Sequence, residues 1–214
     1  MAAPVVYGPA YSTYTRTARL ALEEKGVDYK LEEVDILSGA AQSPAHLARQ
    51  PFGKVPAFEH DGFRLYETGA IARYVDEAFP GPKLQPADAK RRARMAQFIS
   101  VSDSYTYPTC IGKVVWQRAV VPLLGGTPDD KIVAEAMPMA EKTVGALEAL
   151  VDNTGPFLCG PEISLADLHL VPIMAYFSGT PEGKKLLSGA PRLSRWWQSI
   201  STRPSVVKTQ PKLG

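Results

Sequence analysis

Residues 51–77 read PFGKVPAFEHDGFRLYETGAIARYVDE, and this stretch decides the fold. Ala57–Glu59 and Arg64–Tyr66 are short β-prone runs, and His60-Asp61-Gly62 between them carries a turn dipeptide, so the pair reads as a hairpin. From Thr68 the period changes. Ala70, Ile71, Tyr74 and Val75 fall on one face of a helix that runs to about Ala78. Pro51-Phe52-Gly53-Lys54-Val55-Pro56 in front of the hairpin is a turn-rich loop.

Working back from residue 51, Val5–Tyr7 is a strand stopped by Gly8-Pro9. Tyr14, Ala18, Ala21, Leu22 and Lys25 then recur at helical spacing, with Gly26 placed as a C′ residue. Tyr29, Leu31 and Val34 alternate with charges and predict a second strand before Asp35. Ser43-Pro44 pairs an N-cap residue with proline at the first helical position, and predicts a helix to about Arg49. The order is strand, helix, strand, helix, strand, strand, helix. A right-handed βαβ unit followed by a hairpin and a helix is the thioredoxin-like arrangement.

Beyond Ala78 the composition shifts. Residues 79–88, FPGPKLQPAD, hold three prolines and a glycine and read as a linker. Residues 1–80 carry 8 Lys+Arg against 11 Asp+Glu, and residues 81–214 carry 16 against 11. A thioredoxin-like domain over 1–80, a linker over 81–88 and an all-helical domain over 89–214 are therefore expected. The α/β first half and helical second half together make 214 residues, 45% hydrophobic, with a net charge of +2. That balance excludes disorder and gives no general case for a nucleic-acid partner. Lys90-Arg91-Arg92-Ala93-Arg94 lacks interleaved aromatics and reads as a solvated helix face. Cys110 and Cys159 lack metal-site spacing and cannot build a disulfide framework, so buried, reduced thiols are expected. With no apolar leader and no long apolar run, a cytoplasmic protein with no membrane partner is the expectation.

VYGPAYSTYTR, ALEEKGVDYKLEEVDI and SPAHLARQPFGKVPAFEHDGFRLYETGAIARYVDE resemble the glutathione transferase family, and within it the phi class. ISLADLHLVPIMAYFSGTPEGKKL and RWWQSISTRPSV extend the resemblance over nearly the whole chain. It implies that glutathione is a co-substrate, with no metal and no resident cofactor. Ser12 matches the class's catalytic serine. Its alternative is a helix N-cap, and Thr13 is the nearest rival donor. A free thiol of pKa ~8.5 brought to ~6.5 requires about 2.7 kcal/mol of differential stabilisation. One hydrogen bond to a charged group contributes about 1.5–3 kcal/mol, and a helix N-terminus adds to it. Ser12 would donate to the sulfur and attack nothing itself. Val55-Pro56, cis in the family, would pair with the cysteinyl backbone. Thr68 at a helix N-terminus would hold the γ-glutamyl carboxylate and Glu67 the ammonium. Lys54 is either a partner for a ligand carboxylate or a solvated surface lysine.

One departure stands out. Where phi-class proteins carry a His-Lys pair directed at the glycyl carboxylate, this chain has Ala41 and Gln42. Gln42 can still donate, but without charge assistance, so weaker glutathione binding is expected. Tyr7 precedes Gly8 on a strand and reads as core, while Arg16 reads as a support for the site.

In the second half, residues 88–118 predict one long helix, and Asp129–Val151 predicts another, bent at Pro138. Ser164-Leu165-Ala166-Asp167 reads as a capping box, with Ile163 stapled to Leu168. His169 reads as an interior histidine. A hydrophobic second-substrate pocket is expected between the domains. Tyr11 is a candidate from the first, and Tyr107 and Trp116, with Tyr105 and Phe177, are candidates from the second. The resemblance implies a homodimer, with Phe52 a candidate contact. The function expected is transfer of glutathione to hydrophobic electrophiles. The alternatives are a glutathione-dependent peroxidase, lyase or isomerase, or a non-catalytic carrier.

Overall fold

In the computed structural model, which describes residues 2–211, four short strands form one mixed sheet. They are β1 (Val5–Tyr7), β2 (Lys30–Glu32), β3 (Ala57–His60) and β4 (Phe63–Tyr66), in the order β2-β1-β3-β4. β1 runs parallel to β2, with Tyr7 opposite Glu32, and antiparallel to β3, with Tyr7 opposite Ala57. β3 and β4 form the expected hairpin, Ala57 opposite Tyr66. Its turn narrows to Asp61-Gly62, whose φ values of 47° and 80° are those of a type I′ turn matched to strand twist.

Helices α1 (Thr13–Lys25) and α3 (Thr68–Ala78) pack together, and the short α2 (Pro44–Leu47) follows a single 3₁₀ turn, Ala40–Gln42. Leu20, Ala21, Ile71, Val75 and Phe58 are buried in this core. This is the thioredoxin-like domain. Lys25 was expected among apolar positions at the end of α1, and it is indeed buried. Its ammonium sits 3.2 Å from Asp76 Oδ1 and donates to the carbonyls of Asp76 and Pro82. Asp76 in turn accepts from the Leu84 amide and the Gln85 side chain. The buried charge is thus paired and fully surrounded by partners.

The all-helical part contains α4 (Ala89–Val101), a π-type helix over Ser102–Val120, α5 (Val121–Leu123), α6 (Asp130–Leu150), α7 (Leu165–Phe177), α8 (Pro181–Ser188) and α9 (Pro191–Ile200). The single helix expected over 88–118 is therefore two segments of different pitch. Pro108 has no N–H for an α-type ladder, and the wider register is visible where the Val121 amide reaches Trp116 O, five residues back. α7 is buried almost all round and forms the spine of this part. Its capping box is present. Asp167 accepts from the Ser164 amide and hydroxyl, the Leu158 amide and Trp196 Nε1, each at 2.8–2.9 Å. His169 is interior, its Nδ1 2.7 Å from Leu165 O.

By packing, the chain forms two units. Among the described residues, one runs to Gln85 and regains the chain over 203–211; the other spans Pro86–Thr202. In the first, α10 (Pro204–Lys208) lies against α1. Arg203 makes a two-pronged bond to the Glu24 carboxylate at 2.6 and 2.7 Å, and Ser205 Oγ donates to the same group.

Candidate active site

The sheet register directs the segments that carry the residues expected to hold glutathione to one end of the sheet. Because Tyr7, Ala57 and Tyr66 are neighbours across β1, β3 and β4, the chain leaving β1, the chain entering β3 and the chain leaving β4 share one end of the sheet. β2 is parallel to β1, so the chain leading to Gln42 starts from that end too. Ser12, Gln42, Val55-Pro56 and Glu67-Thr68 follow or precede these strand ends. The same end carries the N-termini of α1 and α3, and with them two partial positive charges.

Ser12 is the N-cap of α1. Its backbone is extended, and its Oγ accepts from the Thr15 amide at 3.3 Å. The cap uses an oxygen lone pair and leaves the hydroxyl proton available to an anion. Capping and donation, the two readings of Ser12 from sequence, are therefore compatible. Thr13 is 5% exposed, whereas Ser12 is only half-buried and is the more open donor. Gly8 explains how the loop before Ser12 lies so close to the loop before β3. A Cβ there would fall 2.3 Å from Thr15 Oγ1 and 3.2 Å from Val55 Cβ, so a side chain at position 8 would push these segments apart.

The Val55-Pro56 bond is cis. Val55 makes no backbone hydrogen bond among the described residues, so its N–H and C=O remain to be satisfied. The loop around it is held by two side chains that sequence reasoning missed. Gln50 is 2% exposed, and its Oε1 accepts from the amides of Phe52 (2.7 Å) and Lys54 (3.2 Å). His46 is also buried, and its Nε2 lies 2.7 Å from Lys54 O, a distance at which an Nε2–H donates to that carbonyl. The one signal was the helix start at Ser43-Pro44, which places His46 within α2; Gln50 lies beyond its end, tied back by its amide to His46 O at 2.9 Å. Lys54's own side chain is exposed, and nothing among the described residues pairs with its ammonium.

Glu67 has φ 71°, a strained value for a residue with a Cβ, and sits as the N-cap of α3 without a side-chain cap bond. The first amides of α3 are consequently left open beside Thr68, which is buried. Strained non-glycine backbone concentrates where a ligand is held. Gln42 is exposed, and its amide leans on Gly53, donating to Gly53 O at 3.4 Å. Gly53 has φ 60°, and a Cβ on it would meet Gln42 Nε2 at 2.2 Å.

Tyr7 is half-buried with the Arg49 guanidinium 4.5 Å above its ring, a cation–π contact that occupies that face. Tyr11 donates to Asp35 Oδ1 at 3.2 Å; burial first, and then Asp35, raise its pKa above the usual phenol value, so it stays protonated. Arg16 is 2% exposed and ties α1 to the chain end, donating to Val206 O (2.9 Å) and Thr209 Oγ1 (3.3 Å). In the second unit Tyr107 is half-buried, Tyr105 and Trp116 are exposed, and Phe177 is wholly buried in α7. Phe177 is therefore a core residue and is withdrawn as a substrate contact. Burial pushes the Cys110 and Cys159 thiols up to about 12, which makes both inert at neutral pH. Among the described residues, no group of three His, Cys, Asp or Glu side chains could hold a metal ion, and no helix is long and apolar enough to cross a membrane.

Comparison with known proteins gives consistent matches. Residues 5–77 match the family model "Glutathione S-transferase, N-terminal domain", and residues 109–204 match "Glutathione S-transferase, C-terminal domain". Glutathione S-transferase F7 of Arabidopsis thaliana is 33% identical over 210 residues, which cover 97% of this chain and 99% of that one. The crystal structure of glutathione transferase F7 from Populus trichocarpa superposes with a TM-score of 0.83 at 33% identity, covering 96% of this chain and 97% of the other. The structure of glutathione S-transferase I from mais in complex with an atrazine glutathione conjugate also gives a TM-score of 0.83, at 31% identity, covering 97% and 96%.

Proposed function

The chain belongs to the glutathione S-transferase family, most similar to its phi class, and on that premise we propose that it activates the glutathione thiol at Ser12 and transfers it to a hydrophobic electrophile. The observation that carries this reading is the free proton of Ser12. Its oxygen is already oriented by the Thr15 amide, and it stands at the N-terminus of a 13-residue helix.

Glutathione's cysteinyl backbone pairs with the unsatisfied N–H and C=O of Val55. Its γ-glutamyl carboxylate takes the open amides of α3 and the Thr68 hydroxyl, while Glu67 faces the ammonium. Gln42 and Lys54 serve the glycyl end. The thiol proton leaves to solvent, and the Ser12 O–H donates to the sulfur anion. That anion then forms the new S–C bond, while the electrophile expels a leaving group or takes a proton at the adjacent atom. Holding both substrates and stabilising charge on sulfur supply the rate. A glutathione conjugate of atrazine bound to the mais relative supports conjugation as the reaction class. Tyr11, Tyr107 and Trp116 are the proposed contacts of the second substrate. Phe52, 66% exposed and edge-on to Tyr66, is the proposed contact of a homodimer. A cytoplasmic setting accords with two inert thiols.

A panel of electrophiles and peroxides assayed with wild type and Ser12→Ala tests the reading. Conjugation by wild type that collapses in the variant supports it. Conjugation undiminished in the variant removes Ser12 from the mechanism. Peroxide turnover alone would select the peroxidase alternative, and dye binding without any turnover would select the carrier.

A further inference from the structure

The loop after α6 and one face of α9 line a partly open cavity of about 230 Å³, built wholly from the second unit. Val151, Phe157 and Trp196 give it an apolar wall, and Arg192 and Arg195 a charged one. The two arginines are three residues apart on a helix and are therefore neighbours whose like charges repel. Neither guanidinium has a partner among the described residues; the bond at Arg192 is made by its backbone N–H to Glu148 Oε1. Asp152 also lines the cavity, but its Oδ1 is engaged by the Thr154 amide and hydroxyl. The lining thus carries two positive charges against one negative.

The walls are set before any ligand arrives. Trp196 is 2% exposed, and its Nε1 is anchored 2.8 Å from Asp167 Oδ1. The Glu148 carboxylate fixes the first turn of α9 through the amides of Arg192 (3.0 Å) and Leu193 (2.8 Å). The loop is closed by Asp152 N to Leu158 O at 3.0 Å and by the reciprocal bonds of Phe157 and Gly160. A preformed site loses little entropy on binding. Its volume lies below the roughly 300–1,000 Å³ of pockets for drug-sized ligands, so it suits a molecule of one or two rings. An unpaired arginine pair selects an anion, most favourably one with the planar geometry of a carboxylate.

We propose that this cavity is a binding site for a small aromatic carboxylate, its ring against Phe157 and its carboxylate on Arg192 and Arg195. None of the residues assigned to glutathione lies in it, so the site stands or falls independently of the transferase mechanism.

Isothermal titration of the full chain with 1-naphthoate and with the isosteric 1-naphthamide tests the proposal, alongside amide chemical-shift mapping. The expected result is that the acid binds at least about tenfold more tightly than the amide. The Arg192→Gln/Arg195→Gln double variant abolishes that preference, Ser12→Ala retains it, and shifts concentrate at Asn153, Arg195 and Ser199. Both arginines are exposed, so the double variant should keep its fold, which circular dichroism verifies. Equal binding of acid and amide, an unchanged preference in the double variant, or shifts centred on Ser12 and Thr68 would each overturn it.

Discussion

Ser12 illustrates how one hydroxyl can cap a helix and still have a proton to donate. The oxygen accepts from the Thr15 amide and the hydrogen remains available to donate, so the cap strengthens the case for catalysis by fixing where the donor sits. Gln42 makes the opposite point. In the proposed reading it faces the glycyl carboxylate without a charge, and its amide rests against Gly53. Gln42→Lys should tighten glutathione binding several-fold, about 1 kcal/mol from replacing a neutral hydrogen bond by a charge-assisted one. Calorimetric titration measures this directly, and no gain would place the glycyl carboxylate elsewhere. The cap at Ser12 and the helix start at Thr68 were legible because each depends on neighbours within a few positions along the chain, while the cis Val55-Pro56 bond was implied by the family resemblance. The strained φ of Glu67 was not legible, since nothing about a glutamate announces a backbone that usually needs glycine.

Among the elements, the loop before β3 depends on α2. Gln50 holds two amides of that loop and His46 holds a carbonyl, and the sequence reading gave neither side chain a role. Gln50→Ala leaves two amides without their acceptor, at a cost of about 1–3 kcal/mol each where they stay buried. With the loop loosened, KM for glutathione should rise by about tenfold while kcat changes little. A kcat loss at unchanged KM would show that Gln50 acts on the sulfur and not on backbone binding. The strands and the hairpin came through within a residue or two because alternation and turn chemistry are local. The helix over 88–118 did not. Its face spacing predicted a continuous element, and only the ladder around Pro108 reveals the change to i→i−5 bonding.

Over the whole molecule, the largest differences between sequence reading and structure are long-range charge pairs. Helical spacing puts Lys25 in register with the apolar face of α1 but does not name its partner, Asp76, 51 residues away, and Glu24 is held by Arg203 from the far end of the chain. No spacing rule reaches that far. Lys25→Met strands the Asp76 carboxylate and should cost about 3–5 kcal/mol, which denaturant unfolding would detect. In the second unit, Arg118 bonds Glu182 through Nε and Nη2, lowering the Glu182 carboxyl below its ordinary range. Because the folded pKa is depressed, this stabilisation is complete above about pH 4.5 and is lost as pH falls through the folded value. Glu182→Gln should therefore flatten the acid limb of the stability profile; an unchanged limb would mean that other carboxylates dominate it. The central claim, a thiolate held by Ser12, is tested most directly by titrating the ultraviolet absorbance of glutathione bound to wild type and to Ser12→Ala. The bound thiol should ionise with a pKa of about 6.5 against ~8.5 free, and the variant should return it upward by 1–2 units, roughly what one hydrogen bond to an anion supplies. An identical pKa in both proteins would contradict the account.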